Sequence, residues 1–347
     1  MLDGKLAPAF ERNNIPVVIA FSNLYAPYAG VFLQSLLDHA GEDNNYDIII
    51  FEREVSKENK RLLKSLASGH TNVSIRFFDP TAFWGQLGFD YEDDAHFWPV
   101  EVYYKIIAPH ILRYSGRIIT VDTDTLLMED IARLMDEDLG GCSVGGVCDV
   151  AINGAYLRND IAYTIKVNIR DYVGNVLKFS ADEFRNYVNS GLLLYDCDKY
   201  AQELDMKTFW RTVGQNRYAF RDQDVLNILM KGRIKCLDFS WNVVLPLKRD
   251  GVQVLETGSK LYGGAYERAC ENPYLLHWAG RPKPWVCPDV PYGNEWWQTA
   301  LRTPFVGHII ARMTDAQEQR RTYYRERYGK EVDIWDPAPK QTDSGRA

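Results

Sequence analysis

The chain has 347 residues, 46% of them hydrophobic and 25% charged, and a formal net charge of -7. That length holds one large domain or two small ones, and the composition is ordinary for a globular protein. The acidic balance argues against nucleic acid as a partner. It leaves room for small anions held by a metal or by a local pair of basic side chains.

Residues 1–10 carry no basic segment followed by an apolar one, so no secretory signal is expected. No stretch approaches the roughly 20 apolar residues that cross a bilayer. Cys142, Cys148, Cys197, Cys236, Cys270 and Cys287 form no C-x-x-C pair and match no zinc spacing. Reduced, buried thiols in a cytoplasmic protein are expected.

The predicted elements alternate strand and helix through the first half. Ile15 to Phe21 reads as a buried strand, closed by Ser22-Asn23. Pro27 suits a helix start, with Val31, Leu33, Leu36 and Leu37 on one face. Asp47 to Phe51 is a second strand. Ser56 caps an amphipathic helix through Leu62, Leu63 and Leu66. Val73 to Phe78 is a third strand, Val102 to Leu112 a helix and Arg117 to Val121 a fourth strand. This alternation predicts an α/β core with a mainly parallel central sheet flanked by helices, in which ligands bind beyond the carboxyl ends of the strands. Strands recur at Cys142 to Cys148 and Gly191 to Tyr195, with helical or irregular chain from Asn153 to Tyr187 between them. Leu245 to Tyr274 reads as loop and short strands. Ala311 to Tyr328 reads as an Arg-rich helix, and Asp336 to Ala347 as a disordered tail. The expected division is a catalytic domain over residues 1–305 and a C-terminal helix and tail over residues 306–347.

Asp122-Thr123-Asp124 directly follows the fourth strand. Residues two apart on an extended chain point the same way, so the two carboxylates form a hard-oxygen pair at the sheet's edge. Asp-x-Asp is also a common turn tripeptide. Asp130, six residues on, suits the start of the next helix. Three further features accompany the pair. Asn189-Ser190-Gly191 is a polar turn feeding a buried strand. Asp222-Gln223-Asp224 opens the helical pattern of Val225, Leu226, Ile228 and Leu229, where its carboxylates also suit N-terminal capping. His277 to Trp285 places a His, a Gly and a Lys on a Pro-constrained loop, which suits a metal-plus-phosphate site.

The ordered set Asp122-x-Asp124, Asn189-Ser190-Gly191, Asp222-Gln223-Asp224 and His277 to Trp285 resembles glycosyltransferase family 8, over about Ile15 to Trp285. That family includes bacterial lipopolysaccharide and capsule glycosyltransferases and glycogenin. The resemblance implies a GT-A fold, a UDP-sugar donor, Mn2+ (or Mg2+), and transfer of a hexose to an acceptor hydroxyl with retention of configuration. Asp122, Asp124 and His277 would ligate the ion, a mixed oxygen and nitrogen set that suits manganese. Lys283 would pair with the phosphates, and Gly280 would let the backbone approach them. Lys105 matches a basic donor-binding position, although a solvated surface lysine would read the same. Asn189, Asp222 and Gln223 would hold the transferring sugar, with Asp149 lining its pocket and Thr123 and Ser190 in the same donor-binding set. Gln223 stands where a nucleophile is sought, with Asp222 the better base. An amide is a poor nucleophile, which favours front-face transfer.

At the first strand's end Ala20 and Tyr25 match the family, but Ser22 and Leu24 stand where polar residues would meet uracil. Ser22 can still hydrogen-bond a base edge, and Asn23 offers a substitute. Trp98, Trp278, Trp285, Trp296 and Trp297 are candidates for stacking on sugar, or else for core packing. Residues 90–99 are a candidate lid. The acceptor would be a saccharide or a lipid-linked saccharide, and the Arg-rich C-terminal helix a candidate peripheral membrane contact or a solvated packed helix. No feature specifies an oligomer. The competing functions are a non-catalytic or regulatory binding protein on the same fold and a metal-dependent nucleotide-sugar hydrolase.

Overall fold

A computed structural model describes residues 6–81, 100–112, 116–162, 165–245, 249–280 and 282–315. The strands are β1 (Asn14–Ser22), β2 (Asn45–Arg53), β3 (Val73–Phe78), β4 (Arg117–Val121), β5 (Thr125–Leu127), β6 (Val144–Cys148), β7 (Ile161–Ala162), β8 (Val167–Asn168), β9 (Val188–Asp196), β10 (Ile234–Cys236), β11 (Val243–Val244) and β12 (Leu275–His277). Seven of them form the central sheet in the order β10-β6-β9-β4-β1-β2-β3. The β10–β6, β4–β1, β1–β2 and β2–β3 pairings are parallel. Only β9 runs against both of its neighbours. This is the expected α/β architecture, and it is a GT-A fold.

Both faces of the sheet are covered, which is why its strands read as unbroken apolar runs. Alternate residues divide between two cores. Val17, Ile19 and Phe21 face the helix Ala26–Asp38, whereas Val18, Ile49 and Phe51 face the helix Tyr104–Leu112. Pro27 stands in the first turn of Ala26–Asp38, and Ser56 caps the helix Lys57–Leu66 by accepting from the Asn59 N–H. Asp130 caps the short helix Ile131–Asp136. The helix expected from Val102 is a 3-10 turn over Val100–Tyr103 running into an α-helix at Tyr104.

Three expectations are corrected. Residues 245–274 are not mainly loop: they contain the helices Arg249–Leu261 and Ala265–Glu271. The first of these packs against the helix Val150–Arg158 with its backbone nearly touching. A Cβ on Gly154 would lie 1.9 Å from the Val254 carbonyl oxygen, and one on Gly258 would lie 2.0 Å from that of Val150. Asn189-Ser190-Gly191 is not a turn but the start of β9, which already begins at Val188. Finally, Cys148 and Cys236 form a disulfide. The parallel pairing of β10 with β6 brings them together across 88 positions, a separation that local spacing does not reveal. Cys142, Cys197, Cys270 and Cys287 are free thiols, but only Cys197 is buried; the other three are partly exposed.

The C-terminal helix begins at residue 306 and is described as far as 315. The remainder of Ala311 to Tyr328, the 336–347 tail and the candidate lid at 90–99 lie outside the described residues. No helix among the described residues is long and apolar enough to cross a membrane.

Candidate active site

The antiparallel course of β9 builds the site. Because it runs against β4 and β6, its first residues abut the carboxyl ends of both. Val121 pairs with Leu192, and Asn189 pairs with Val147 past an irregularity at Gly146/Val147. Asp122 leaves β4 with its N–H donated to the Gly191 carbonyl at 2.8 Å. Three residues later, at Thr125, the chain enters β5, which pairs with β12 so that Thr125 lies opposite His277. The Trp278 N–H closes this corner on the Asp124 carbonyl at 3.1 Å.

Asp122, Asp124 and His277 therefore converge, their ligand atoms all within 4.8 Å of one another. His277 Nε2 is 3.5 Å from Asp124 Oδ1. This set of two carboxylates and one imidazole fits a divalent ion with mixed oxygen and nitrogen preference.

A lysine attends each aspartate. Lys105 Nζ donates to Asp122 Oδ1 at 2.6 Å and lies 3.1 Å from Asp222 Oδ2. Lys283 Nζ pairs with Asp124 and donates to the Trp278 carbonyl. Burial works against the charge on Lys105, but Asp122 and Asp222 outweigh it and raise its ammonium above the ordinary range. Burial raises the Asp122 carboxyl despite Lys105. It pushes Asp124 the same way, yet Lys283 overcomes it and holds that carboxyl well below the usual carboxylate range. Lys105 is thus not a solvated surface lysine: its side chain is buried beside carboxylates.

Beyond the aspartates lies a buried polar network. Asp149 caps the helix Val150–Arg158, with Oδ1 accepting from the Ile152 N–H at 2.8 Å. Its Oδ2 accepts from Asn189 Nδ2 and from Gln223 Nε2, both at 2.9 Å. Gln223 Oε1 accepts from the Ser190 N–H at 3.2 Å, and Ser190 Oγ donates to Asp222 Oδ2 at 2.7 Å. Asp222, Gln223 and Asp224 occupy the first turn of the helix Asp222–Leu229. Only the first two reach this network. Asp224 turns away and accepts from the Tyr172 hydroxyl at 2.7 Å, the Tyr187 hydroxyl at 2.6 Å and the Phe220 N–H at 2.7 Å. Burial pushes its carboxyl up to about 6 against these three donors.

One open cleft of about 1460 Å³ joins these groups. Ala20, Ser22, Tyr25, Lys105, Asp122, Thr123, Asp124, Asp149, Asn189, Ser190, Asp222, Gln223, His277 and Gly280 all line it. Lys283 does not line it but pairs with Asp124, which does. At the end near Ser22, Asn23 offers no substitute contact. Its Oδ1 accepts from the Ser56 N–H at 2.9 Å and from Asn59 Nδ2 at 2.8 Å, and the residue does not line the cleft. Leu24 is 67% exposed, and its carbonyl accepts from Arg312 of the C-terminal helix. Among the described residues, none of the candidate tryptophans lines the cleft. Trp278 and Trp296 are fully buried, Trp285 stacks on Tyr28 at 4.1 Å, and Trp297 donates to the Pro284 carbonyl. Trp98 lies outside the described residues.

Two residues of the site escape sequence reasoning. Asn242 lies between His277 and Asn189, donating to Asn189 Oδ1 and meeting His277 Nδ1, each at 2.9 Å. Its partners are 53 and 35 positions away, so no local pattern marks it. Arg221, which lines the cleft, holds φ 54° and ψ -121°. With the Gln223 N–H donated to the Phe220 carbonyl at 3.1 Å, it occupies the second position of a turn that ordinarily demands glycine there.

The sequence model of glycosyl transferase family 8 matches residues 16–287. The chain is 25% identical over 202 residues to the lipopolysaccharide 1,2-glucosyltransferase of Escherichia coli K12, an alignment covering 56% of this chain and 53% of that protein. Among solved structures, the bifunctional glycosyltransferase WbbM superposes with a TM-score of 0.79 at 28% identity, over 90% of this chain and 53% of that one. The galactosyltransferase LgtC, solved with donor and acceptor sugar analogues, superposes with a TM-score of 0.61 at 20% identity, over 84% and 96%. The chain thus spans about half the length of WbbM and of the glucosyltransferase.

Proposed function

This chain belongs to glycosyl transferase family 8 and is a glycosyltransferase, and from that premise we infer that it transfers a hexose from a UDP-sugar to a hydroxyl of a saccharide or lipid-linked acceptor, with retention of configuration. A divalent ion, Mn2+ or Mg2+, would be held by Asp122, Asp124 and His277. The observation that carries this reading is the convergence of those three donors in the cleft with a lysine beside each aspartate. When bound, such an ion supplies Lewis-acid stabilisation of the charge on the departing diphosphate.

The protein's own groups account for the remaining steps. Lys105 brings an ammonium group into the cleft and Lys283 holds a second one against the cleft-lining Asp124, and charge-assisted hydrogen bonds from such groups to phosphate oxygens are strong. Ser190, Asp222, Gln223, Asn189 and Asp149 form the wall against which the sugar hydroxyls would lie. The Gln223 carboxamide is pinned at both ends, its nitrogen on Asp149 and its oxygen on the Ser190 N–H. An amide oxygen so engaged is a poor nucleophile, which supports front-face transfer. In that course the acceptor oxygen bonds to the anomeric carbon as the carbon–phosphate oxygen bond breaks, and its proton passes to the leaving phosphate. Positioning and electrostatics then supply the rate. In this reading residues 1–305 are the catalytic unit and residues 306–347 an extension tied to the donor turn through Arg312.

Calorimetric titration with UDP in Mn2+ and again in EDTA tests the donor site. Binding that chelation abolishes is expected, and absence of binding in both conditions sinks the reading. Incubation with UDP-hexoses and an acceptor, with NMR of the product, then reads the anomeric outcome. Ser22 favours one variation. Among the side chains of 22–24 it alone lines the cleft, so a base other than uracil fits the turn as well, and a panel of nucleoside diphosphates separates the two.

A further inference from the structure

The hydrogens in the network between His277 and Gln223 can be assigned by elimination, because it ends on two backbone N–H groups that can only donate. The Gly191 N–H donates to Asn189 Oδ1 at 2.8 Å, so the Asn242 atom that meets the same oxygen must be its NH2. The Asn242 oxygen therefore faces His277 Nδ1, and that nitrogen must carry the proton. At the other end the Ser190 N–H fixes Gln223 Oε1, which turns the Gln223 NH2 to Asp149. Asn189 donates its NH2 to the same Asp149 oxygen. His277, Asn242, Asn189, Asp149 and Gln223 are each less than 8% exposed, so water does not compete for these bonds.

We propose that Asn242 is a positioning residue that holds His277 as the Nδ1–H tautomer with the Nε2 lone pair turned toward Asp124, and that it joins the metal-binding end of the cleft to the sugar-binding wall. The inference rests on the functional reading above. A ring nitrogen can ligate only through a free lone pair, and the hydrogen bond made by the other nitrogen decides which one is free. Here that bond comes from an asparagine whose own amide is fixed by Asn189, and Asn189 in turn by the backbone of Gly191. The same asparagine thus orients one ligand of the ion and one side chain of the sugar wall.

The first measurement is long-range 15N–1H NMR of the metal-free protein at a pH where histidine is neutral, with His277 assigned from a His277→Gln variant. The Nδ1–H form is expected in the wild type, and its loss in Asn242→Leu. The Nε2–H form or an imidazolium in the wild type overturns the proposal without reference to metal or substrate, so it fails separately from the functional reading. The second measurement is calorimetry, with melting temperature reporting the fold. Asn242→Leu is expected to weaken Mn2+-dependent UDP binding about 10–100-fold. Asn242→Asp keeps the acceptor for Nδ1–H but loses the donor to Asn189. It should retain UDP binding near wild type while losing the extra affinity of an intact UDP-sugar over UDP. Equal losses of UDP and UDP-sugar binding in Asn242→Asp, with an unchanged melting temperature, would overturn the coupling.

Discussion

The imidazole of His277 lies directly over Gly191. A Cβ on that glycine would stand 2.2 Å from Cε1 and 2.5 Å from Nδ1 of the ring. Glycine is needed here for space, not for backbone freedom, since the residue sits within β9. Gly191→Ala must displace the ring or open the strand. The expected cost is about 1–3 kcal/mol of stability, typical of overpacking in a close-packed site, together with loss of Mn2+-dependent UDP affinity. Urea unfolding and calorimetry check both, and an Ala variant that binds like wild type would show that the ring can move without consequence.

Asp124→Asn keeps the shape of the side chain and removes its charge. The bonds joining β5 to β12 are made by backbone, so the fold should persist. Mn2+-dependent UDP affinity should fall by more than the roughly 10–100-fold that losing an outer partner of a ligand costs. An unchanged affinity would remove Asp124 from the ligand set.

Asp224 makes stability depend on pH. An unperturbed aspartate titrates near 3.9, while burial holds this one at about 6 in the folded protein. Between those values the folded state binds the extra proton. Its contribution to stability therefore falls as pH rises from about 4 to about 6 and is constant above, with a penalty on the order of 3 kcal/mol. Asp224→Asn removes the titration. Relative to wild type, the variant should gain stability between about pH 4.5 and about pH 7.5. Denaturant curves at both values test this, and a difference between the proteins that does not change with pH would show that Asp224 titrates normally.

Arg221 holds a backbone conformation natural to glycine. Such strain costs about 1–3 kcal/mol when a side chain must bear it. Arg221→Gly should therefore raise the melting temperature. Because Arg221 lines the cleft beside Asp222, the same variant should bind the sugar substrates more weakly. Lower stability in the Gly variant would mean that the guanidinium's contacts outweigh the strain.

Much of the site was legible because its parts are local patterns. The strand Arg117–Val121 emerges with the bounds expected for it, and the carboxylates follow it at the sheet's edge. The Ser56 cap and the residues 222–224 at a helix start are likewise read from neighbours in sequence. What escaped depends on distant partners. Gly258 and Gly264 lend residues 245–274 the look of a loop, yet Gly258 is there so that two helices can touch. The start of β9 looks like a turn because Asn189 and Ser190 are polar, whereas both are buried against Asp149, Gln223 and Asp222. Asn23 looks available to a base until Ser56 and Asn59 are seen to occupy it. Trp278, Trp285 and Trp296, offered as sugar platforms, are buried in the core, Trp285 against Tyr28.

The close approach of Gly154 to the Val254 carbonyl and of Gly258 to the Val150 carbonyl also bears on how substrate preference can be re-engineered. The helices Val150–Arg158 and Arg249–Leu261 meet backbone to backbone, so neither can slide along the other without collision. Ala151, Ile152, Val254 and Leu255 on this pair line the cleft, and they form a wall of fixed spacing. A library aimed at the shape of this cleft should leave both glycines and the buried Leu255 untouched and randomise Ile161 and Val254. The width of the slot is set by carbonyl oxygens, and only its texture is open to selection.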